Sequence, residues 1–147
     1  MSRKDQTNAL KIRVMKVALN HFSEVGIENV SVSSILAGAD CSVGSFYHHF
    51  GNKEGIAEAV LLEGVNQFNS GLLAALLPKK TASTGIKAIV TFCCNWVSNQ
   101  SKLAAFMMSQ KVILSDSFKS GRRKMDLEFN QAIYEWFVPH VDCGNLL

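Results

Sequence analysis

Long apolar runs, proline and secretory features are all scarce in this sequence. No apolar run exceeds six residues, as in Leu72–Leu77, whereas a membrane-spanning helix needs about 20. The N-terminal residues MSRKDQTN are polar and therefore lack the apolar core of a secretory signal. Only two of the 147 residues are proline and 48% are hydrophobic, a composition that argues against a disordered chain. We expect a folded, cytoplasmic protein with no membrane partner.

Motifs of catalytic and metal sites are also missing. The sequence contains no Cys-x-x-Cys, His-x-x-x-His or Gly-x-Ser-x-Gly pattern and no glycine-rich phosphate loop, which are the usual marks of zinc, hydrolase and nucleotide sites. His48 and His49 are adjacent, so on a helix they point about 100° apart and cannot share a metal ion. We therefore expect no enzyme activity, no metal site and no cofactor.

The four cysteines have no spacing that suggests a disulfide framework. Cys93 and Cys94 are adjacent, whereas Cys41 and Cys143 are isolated. Because no secretory signal points to an oxidising compartment, we expect inert, mostly buried thiols. A redox sensor is the alternative interpretation.

The formal net charge of +3 is too small to indicate a partner, but the charge is unevenly distributed. Residues 1–16 contain the single acid Asp5 and the cations Arg3, Lys4, Lys11, Arg13 and Lys16. Such a segment can anchor to phosphate groups, or it can be an ordinary solvated chain end.

Helical periodicity runs through the whole sequence and predicts an all-α fold. In the first helix the apolar residues Val14, Ala18 and Phe22 recur every four positions, and Gly26 stops the helix. Ser31 and Ser42 are placed to cap two short helices with their hydroxyl groups. Residues 78–85 (PKKTASTG) form the clearest loop. The predicted helices cover residues 10–25, 32–39, 43–50, 53–77, 86–97, 102–113 and 122–137.

Two short helices joined by about three residues, following a longer one, have the geometry of a helix-turn-helix. In that motif the second short helix enters the major groove of DNA. The side chains that would face DNA are polar: Ser42, Ser45, Tyr47, His48 and His49. A three-helix corner of a larger bundle would give the same pattern, so the pattern alone leaves both alternatives open.

The stretch GIENVSVSSILAGADCSVGSFYHHFGNKEGI, residues 26–56, resembles the DNA-binding domain of the TetR/AcrR family of bacterial transcription regulators. The likeness includes Ala18, Leu19, Phe22 and Gly26 at the end of helix one, and Ile35, Leu36 and Ala39 in helix two. Its most specific element is Phe46–Glu54, FYHHFGNKE. The family usually has glycine where this chain has Asp40, a turn position that requires positive φ and that aspartate tolerates at modest cost.

The resemblance implies a division of roles among these residues. Tyr47, His49 and Lys53 would contact the sugar-phosphate backbone, together with Ser31 and Ser42 at helix N-termini. Base reading would fall to Val43, Gly44 and Ser45, with Ser33 and His48 as further candidates. For His48, a plain surface histidine is the equal alternative. These residues would belong to a DNA-binding domain at residues 1–52.

Residues 53–147 would then form a helical ligand-binding and dimerisation domain. The resemblance implies an apolar or aromatic small-molecule effector, and Phe92, Trp96 and Phe106 are the first candidates to line its pocket. Ordinary core packing is the alternative for each of these aromatic side chains. The expected function is a homodimeric repressor that a small apolar ligand releases from its operator.

The chain ends soon after the last predicted helix, where Pro139 and Gly144 are expected to break it. Members of the family usually continue with two further helices that form the dimer interface. The alternative function is therefore a truncated helix-turn-helix fragment or partner-binding module without a competent effector and dimer half.

Overall fold

The computed structural model describes residues 2–109 and 115–142, and these residues form seven α-helices and one 3₁₀ turn without any strand. The all-α fold class is therefore confirmed. The elements are α1 (Arg3–Val25), a 3₁₀ turn (Ile27–Asn29), α2 (Val32–Ala39), α3 (Val43–Phe50), α4 (Lys53–Leu76), α5 (Ala82–Asn99), α6 (Ser101–Ser109) and α7 (Asp116–Asp142). No helix within the described ranges is long and apolar enough to cross a bilayer.

The basic N-terminal segment is helical, since α1 begins at Arg3 and not at residue 10 as predicted. A capping box starts the helix: the Ser2 hydroxyl accepts from the Asp5 amide at 3.2 Å, and the Asp5 carboxylate accepts from the Ser2 amide at 3.0 Å. Hydrogen bonds from the Ser2 side chain and backbone hold the pKa of Asp5 below its ordinary value. These bonds satisfy amides that the first turn leaves without helical partners.

The predicted loop at residues 78–85 is too long, because α5 already begins at Ala82. Thr81 is its N-cap, and the Thr81 hydroxyl accepts from the Thr84 amide at 3.3 Å. The polar composition of TASTG suggested a loop, but a threonine in this position can start a helix.

The expectation that Pro139 ends the last helix is wrong, because α7 runs from Asp116 to Asp142 and includes this proline. The missing amide of Pro139 would have bonded to the carbonyl of Glu135, a residue on the solvent side of the helix, where water can take its place. Gly144 lies outside the described residues, as does residue 113, where the sixth helix was predicted to end.

The described residues form two compact units, one of residues 2–64 with 102–109 and one of residues 65–101 with 115–142. Each unit consists of two separate stretches of the chain. The predicted division into residues 1–52 and 53–147 is a division by function, and it stays a prediction. In the first unit, Val14, Ala18, Ile35, Phe46 and Ile56 are fully buried. Phe106 of α6 stacks on Phe22 of α1 with ring centroids 5.6 Å apart.

The second unit is built around Leu72, Leu76 and Trp136, with partly buried aromatic side chains packed against them. The Trp136 indole Nε1 donates to the carbonyl of Lys79 at 3.1 Å, which attaches α7 to the connection between α4 and α5. The His140 ring stacks on Trp136 at 4.2 Å. The indole also occupies the space beside Gly85, which leaves no room for a side chain at that position.

The cysteines of the described residues are free thiols, as expected. Burial, followed by the neighbouring Cys94, raises the pKa of the Cys93 thiol and keeps it in the unreactive protonated form. Cys41 and Cys93 are only partly buried and Cys94 is exposed, so the expectation of mostly buried thiols is wrong for the described cysteines. Cys143 lies outside the described residues.

Gly85→Ala should lower the free energy of unfolding of the second unit by about 1–3 kcal/mol, because the added methyl group would overlap the Trp136 ring. Gly121→Ala on α7 is the matched control. It meets no atom within 4 Å and should stabilise the helix by up to about 1 kcal/mol. Thermal unfolding followed by circular dichroism measures both effects. Equal stability changes in the two variants would contradict the assigned packing.

Candidate DNA interface

Helices α2 and α3 begin at serine caps, as predicted. The Ser31 hydroxyl accepts from the Ser34 amide at 3.2 Å, and the Ser42 hydroxyl accepts from the Ser45 amide at 3.2 Å. The Ser33 hydroxyl lies 3.0 Å from that of Ser31. Each cap leaves backbone N–H groups and the positive end of a helix dipole near the surface, an arrangement that favours phosphate oxygens.

The turn between these helices is formed at Asp40, whose backbone is left-handed with φ 48° and ψ 56°. The Asp40 amide donates to the carbonyl of Leu36, and the Cys41 amide lies 3.2 Å from the same oxygen. The expectation of positive φ at this position is therefore confirmed. Asp40 is the one non-glycine residue of the described ranges with positive φ.

Packing decides which face of α3 is exposed. Phe46 is fully buried, and its ring lies 5.5 Å from that of Phe50 one turn later. Tyr47, turned away from this face, is 49% exposed, and Val43, at the first position of the helix, is 60% exposed. A Cβ on Gly44 would meet nothing within 4 Å, so the backbone of α3 is open to close approach there.

The predicted contact residues all lie on α2, α3, their caps or the start of α4. Those that are exposed are Ser31, Ser33, Ser42, Val43, Gly44, Tyr47 and His48; those that are partly buried are Ser45, His49 and Lys53. The structure therefore brings these side chains to neighbouring helix ends, while their roles towards DNA stay predictions.

The charge state of His49 follows from its surroundings. Burial, then the positive charge of Lys11 and the neighbouring His48, lowers the pKa of His49 below its ordinary value of 6.5. The lowered pKa favours the neutral imidazole, which has one N–H donor. Lys11 of α1, one of the cations of the basic N-terminal segment, therefore influences the electrostatics of α3.

Lys53 is placed by a tight junction between α3 and α4. The Asn52 side-chain oxygen accepts from the Gly55 amide at 2.6 Å, which caps the helix that Lys53 begins. A Cβ on Gly55 would overlap the carbonyl oxygen of Phe50. The sequence pattern places the start of this helix at residues 51–54, and asparagine is a common capping residue. The close approach at Gly55 has no sequence signal.

Arg13 has a different place from the one predicted for the basic N-terminal segment. Its guanidinium Nε donates to the carbonyl of Ala39 at 2.6 Å, and Nη2 donates to the carbonyl of Asp40 at 3.4 Å. Arg13 therefore binds the end of α2 and the turn after it. Nothing in the local sequence indicates this contact, because the partners are 26 and 27 residues away.

Residues 14–60 match the sequence model of the family described as bacterial regulatory proteins, tetR family. This range contains both capped helices, the turn at Asp40 and the junction before Lys53. This segment is therefore a helix-turn-helix of the TetR-family type. The resemblance of the helix-turn-helix segment to that family is thereby confirmed.

Two solved structures have a fold similar to that of this chain. A regulatory protein in the tetR family from Rhodococcus RHA1 is 21% identical, with a TM-score of 0.74 over 98% of this chain and 70% of that one. The fatty acid degradation regulator FadR from Bacillus halodurans is 17% identical, with a TM-score of 0.69 over 94% of this chain and 72% of that one. At these identities the likeness shows the fold alone. No curated protein sequence matches the chain.

The aromatic residues predicted to line an effector pocket belong to both compact units. Phe92 and Trp96 both contact Phe68, with ring centroids 5.6 and 5.2 Å apart, in the second compact unit. Phe106 belongs to the first unit, where it is buried against Phe22. The structure therefore joins two of the three candidates around Phe68, a residue that the sequence analysis did not select.

An open groove of about 580 Å³ lies between the C-terminal part of α4 and α5. Ala74, Ala75, Ala88 and Phe92 give it an apolar surface, and Lys79 and Lys87 lie at its edge. Its volume is in the range of small-molecule sites in proteins. The ring of Phe92 reaches both the groove and the contact with Phe68.

Lys53→Ala should weaken binding to all duplex sequences alike and reduce the slope of log K against log salt concentration by about one unit, since one phosphate contact is lost. Lys124→Ala is the control: it removes the same charge from an exposed pair with Glu128 on α7 and should leave the slope unchanged. Binding to fluorescent duplex DNA over a salt series measures both. Wild-type affinity of the Lys53 variant at every salt concentration would refute the assignment.

Proposed function

We propose that this chain is a transcription regulator of the TetR family that binds an operator in double-stranded DNA through α3. The observation that carries the proposal is the exposed first turn of α3, where Val43, Gly44 and Ser45 follow a capped helix start. A Cβ atom on Gly44 would meet no other atom within 4 Å. Such a surface suits entry into a major groove about 12 Å wide.

Contacts to the DNA backbone would position the protein. The exposed hydroxyl of Tyr47, the N–H of His49 and the ammonium of Lys53 are all suited to phosphate oxygens, as are the helix starts at Ser31 and Ser42. These contacts carry no sequence information, and they make the affinity depend on salt.

Base reading would rest on the first turn of α3. Val43 can contact a thymine methyl group, Gly44 permits close approach, and Ser45 can donate to or accept from a base edge. Ser33 of α2 and the exposed His48 are further candidates. No arginine lies on this turn, so a bidentate contact with guanine from these positions is excluded.

The chain would act as a cytoplasmic homodimer without catalysis or a cofactor. Two helix-turn-helix units of a dimer reach successive major grooves when they are about 34 Å apart. An operator with two related half-sites would follow from that symmetry.

Repression would be relieved by a small apolar or aromatic effector bound by the second unit. The groove beside Phe92 supports this assignment because its surface is mainly apolar and its volume suits a small molecule. An effector can release DNA only if it binds the DNA-incompetent state more tightly than the DNA-bound one. Effector binding would change the distance between the two helix-turn-helix units of the dimer, so that they no longer reach successive major grooves.

Val43→Gln should change the preferred DNA sequence, because the new amide can pair with adenine where the valine offered only apolar contact. Tyr47→Phe should lower affinity for all sequences alike, since it removes only a hydroxyl assigned to the backbone. Selection of bound duplexes from a random library, carried out in parallel for wild type and both variants, tests the proposal. An unchanged preference in the Val43 variant would place base reading elsewhere.

The aromatic probe 1-anilinonaphthalene-8-sulfonate, whose rings suit the apolar surface of the groove and whose sulfonate suits Lys79 and Lys87, should bind the free protein more tightly than its DNA complex. Ala88→Phe, which fills the groove, should abolish that difference, whereas Val90→Phe on an exposed face of the same helix should preserve it. Titration of the probe's emission with and without the selected duplex measures both. Equal affinity of the wild type in the two states would refute the coupling.

A further inference from the structure

We propose that Arg13 is a positioning residue for DNA recognition: it holds Asp40 in its left-handed conformation and thereby sets the direction of α3. This inference rests on the proposed function. It gives Arg13 a role distinct from the phosphate anchoring expected for the N-terminal basic segment.

The contact joins α1 to the turn of the helix-turn-helix. Nε of Arg13 donates to the carbonyl of Ala39 at 2.6 Å, and this part of the contact is partly buried. Nη2 reaches the carbonyl of Asp40 at 3.4 Å. One guanidinium group therefore binds two consecutive carbonyl oxygens.

These two oxygens lie on either side of the Asp40 dihedral angles. The direction of the Ala39 carbonyl changes with rotation about φ of Asp40, and the direction of the Asp40 carbonyl changes with its ψ. A rigid, planar guanidinium that holds both oxygens therefore restrains both angles. A lysine has a single nitrogen without this fixed fork and cannot impose the same restraint.

The restraint is needed because Asp40 is not glycine. A left-handed backbone brings the Cβ of an L-residue close to the carbonyl oxygen that follows, and glycine avoids this cost. Arg13 also places a permanent positive charge at the C-terminal end of α2, where the helix dipole is negative and carbonyl groups lack helical partners. Both effects favour the observed turn over its alternatives.

The turn controls the interface directly. Only Cys41 separates Asp40 from Ser42, the cap of α3. A rotation at Asp40 would therefore re-aim the exposed turn that contains Val43, Gly44 and Ser45. Contacts that depend on the placement of these residues would weaken, while the phosphate-binding side chains themselves stay intact.

A double-mutant cycle tests the proposal, with the variants Arg13→Ala, Asp40→Gly and the two combined. The DNA probe is a duplex of about 30 base pairs selected by the wild-type chain from a random pool. With Asp40 present, Arg13→Ala should lower affinity by about tenfold. With glycine at position 40 the same change should cost only about twofold, because glycine adopts the turn without the restraint.

The salt dependence separates positioning from a direct phosphate contact. Arg13→Ala should leave the slope of log K against log salt unchanged, whereas loss of a phosphate contact would reduce it by about one unit. Arg13→Lys retains the charge and should still show most of the affinity loss. Urea unfolding of each variant gives its folded fraction, and each measured affinity is corrected for that fraction.

Equal losses with aspartate and with glycine at position 40 would overturn the inference, as would a reduced salt slope or full rescue by lysine. An affinity loss explained entirely by the unfolded fraction would overturn it too. A wild-type chain that binds no duplex from the pool would instead overturn the proposed function, and this inference with it.

Discussion

The burial of Phe46 is the constraint on which the candidate interface depends. A helix of eight residues has room for one buried face, and the rings of Phe46 and Phe50 occupy it. Because the helical repeat is 3.6 residues, Gly44 and Tyr47 are then turned away from the core. Val43 is exposed for another reason, since it is the first residue of the helix. The interface is therefore a consequence of core packing: the same interaction that stabilises α3 presents its first turn to solvent.

Local signals explain why the sequence predicts this region so well. The bounds of α2 and α3 match the prediction because each helix is short, begins at a serine cap and ends at a position of positive φ, all of which are visible in a few neighbouring residues. The ends of α5 and α7 were predicted less well. The start of α5 is predicted too late because its capping residue, Thr81, lies in a segment with the composition of a loop. The end of α7 is predicted too early because Pro139 is tolerated on the solvent side of the helix.

Long-range contacts could not be predicted from sequence pattern. In the sequence, Arg13 is one of several cations in a basic segment. Its hydrogen bonds to carbonyl groups at the end of α2 become visible only in the folded chain. Likewise, Phe106 resembles Phe92 and Trp96 in size and in its position in the second half of the chain. Its stacking on Phe22 depends on how α6 packs against α1, which helical periodicity does not determine.

The location of the two tryptophans has a practical consequence for spectroscopy. Both Trp96 and Trp136 belong to the second compact unit, and the chain contains no others. Indole emission therefore reports on the second compact unit, where Trp136 is buried and hydrogen-bonded to the connection between α4 and α5. The helix-turn-helix contains no tryptophan, so its unfolding is followed by the circular dichroism of its helices. Disagreement between these two optical probes would reveal that the halves unfold separately.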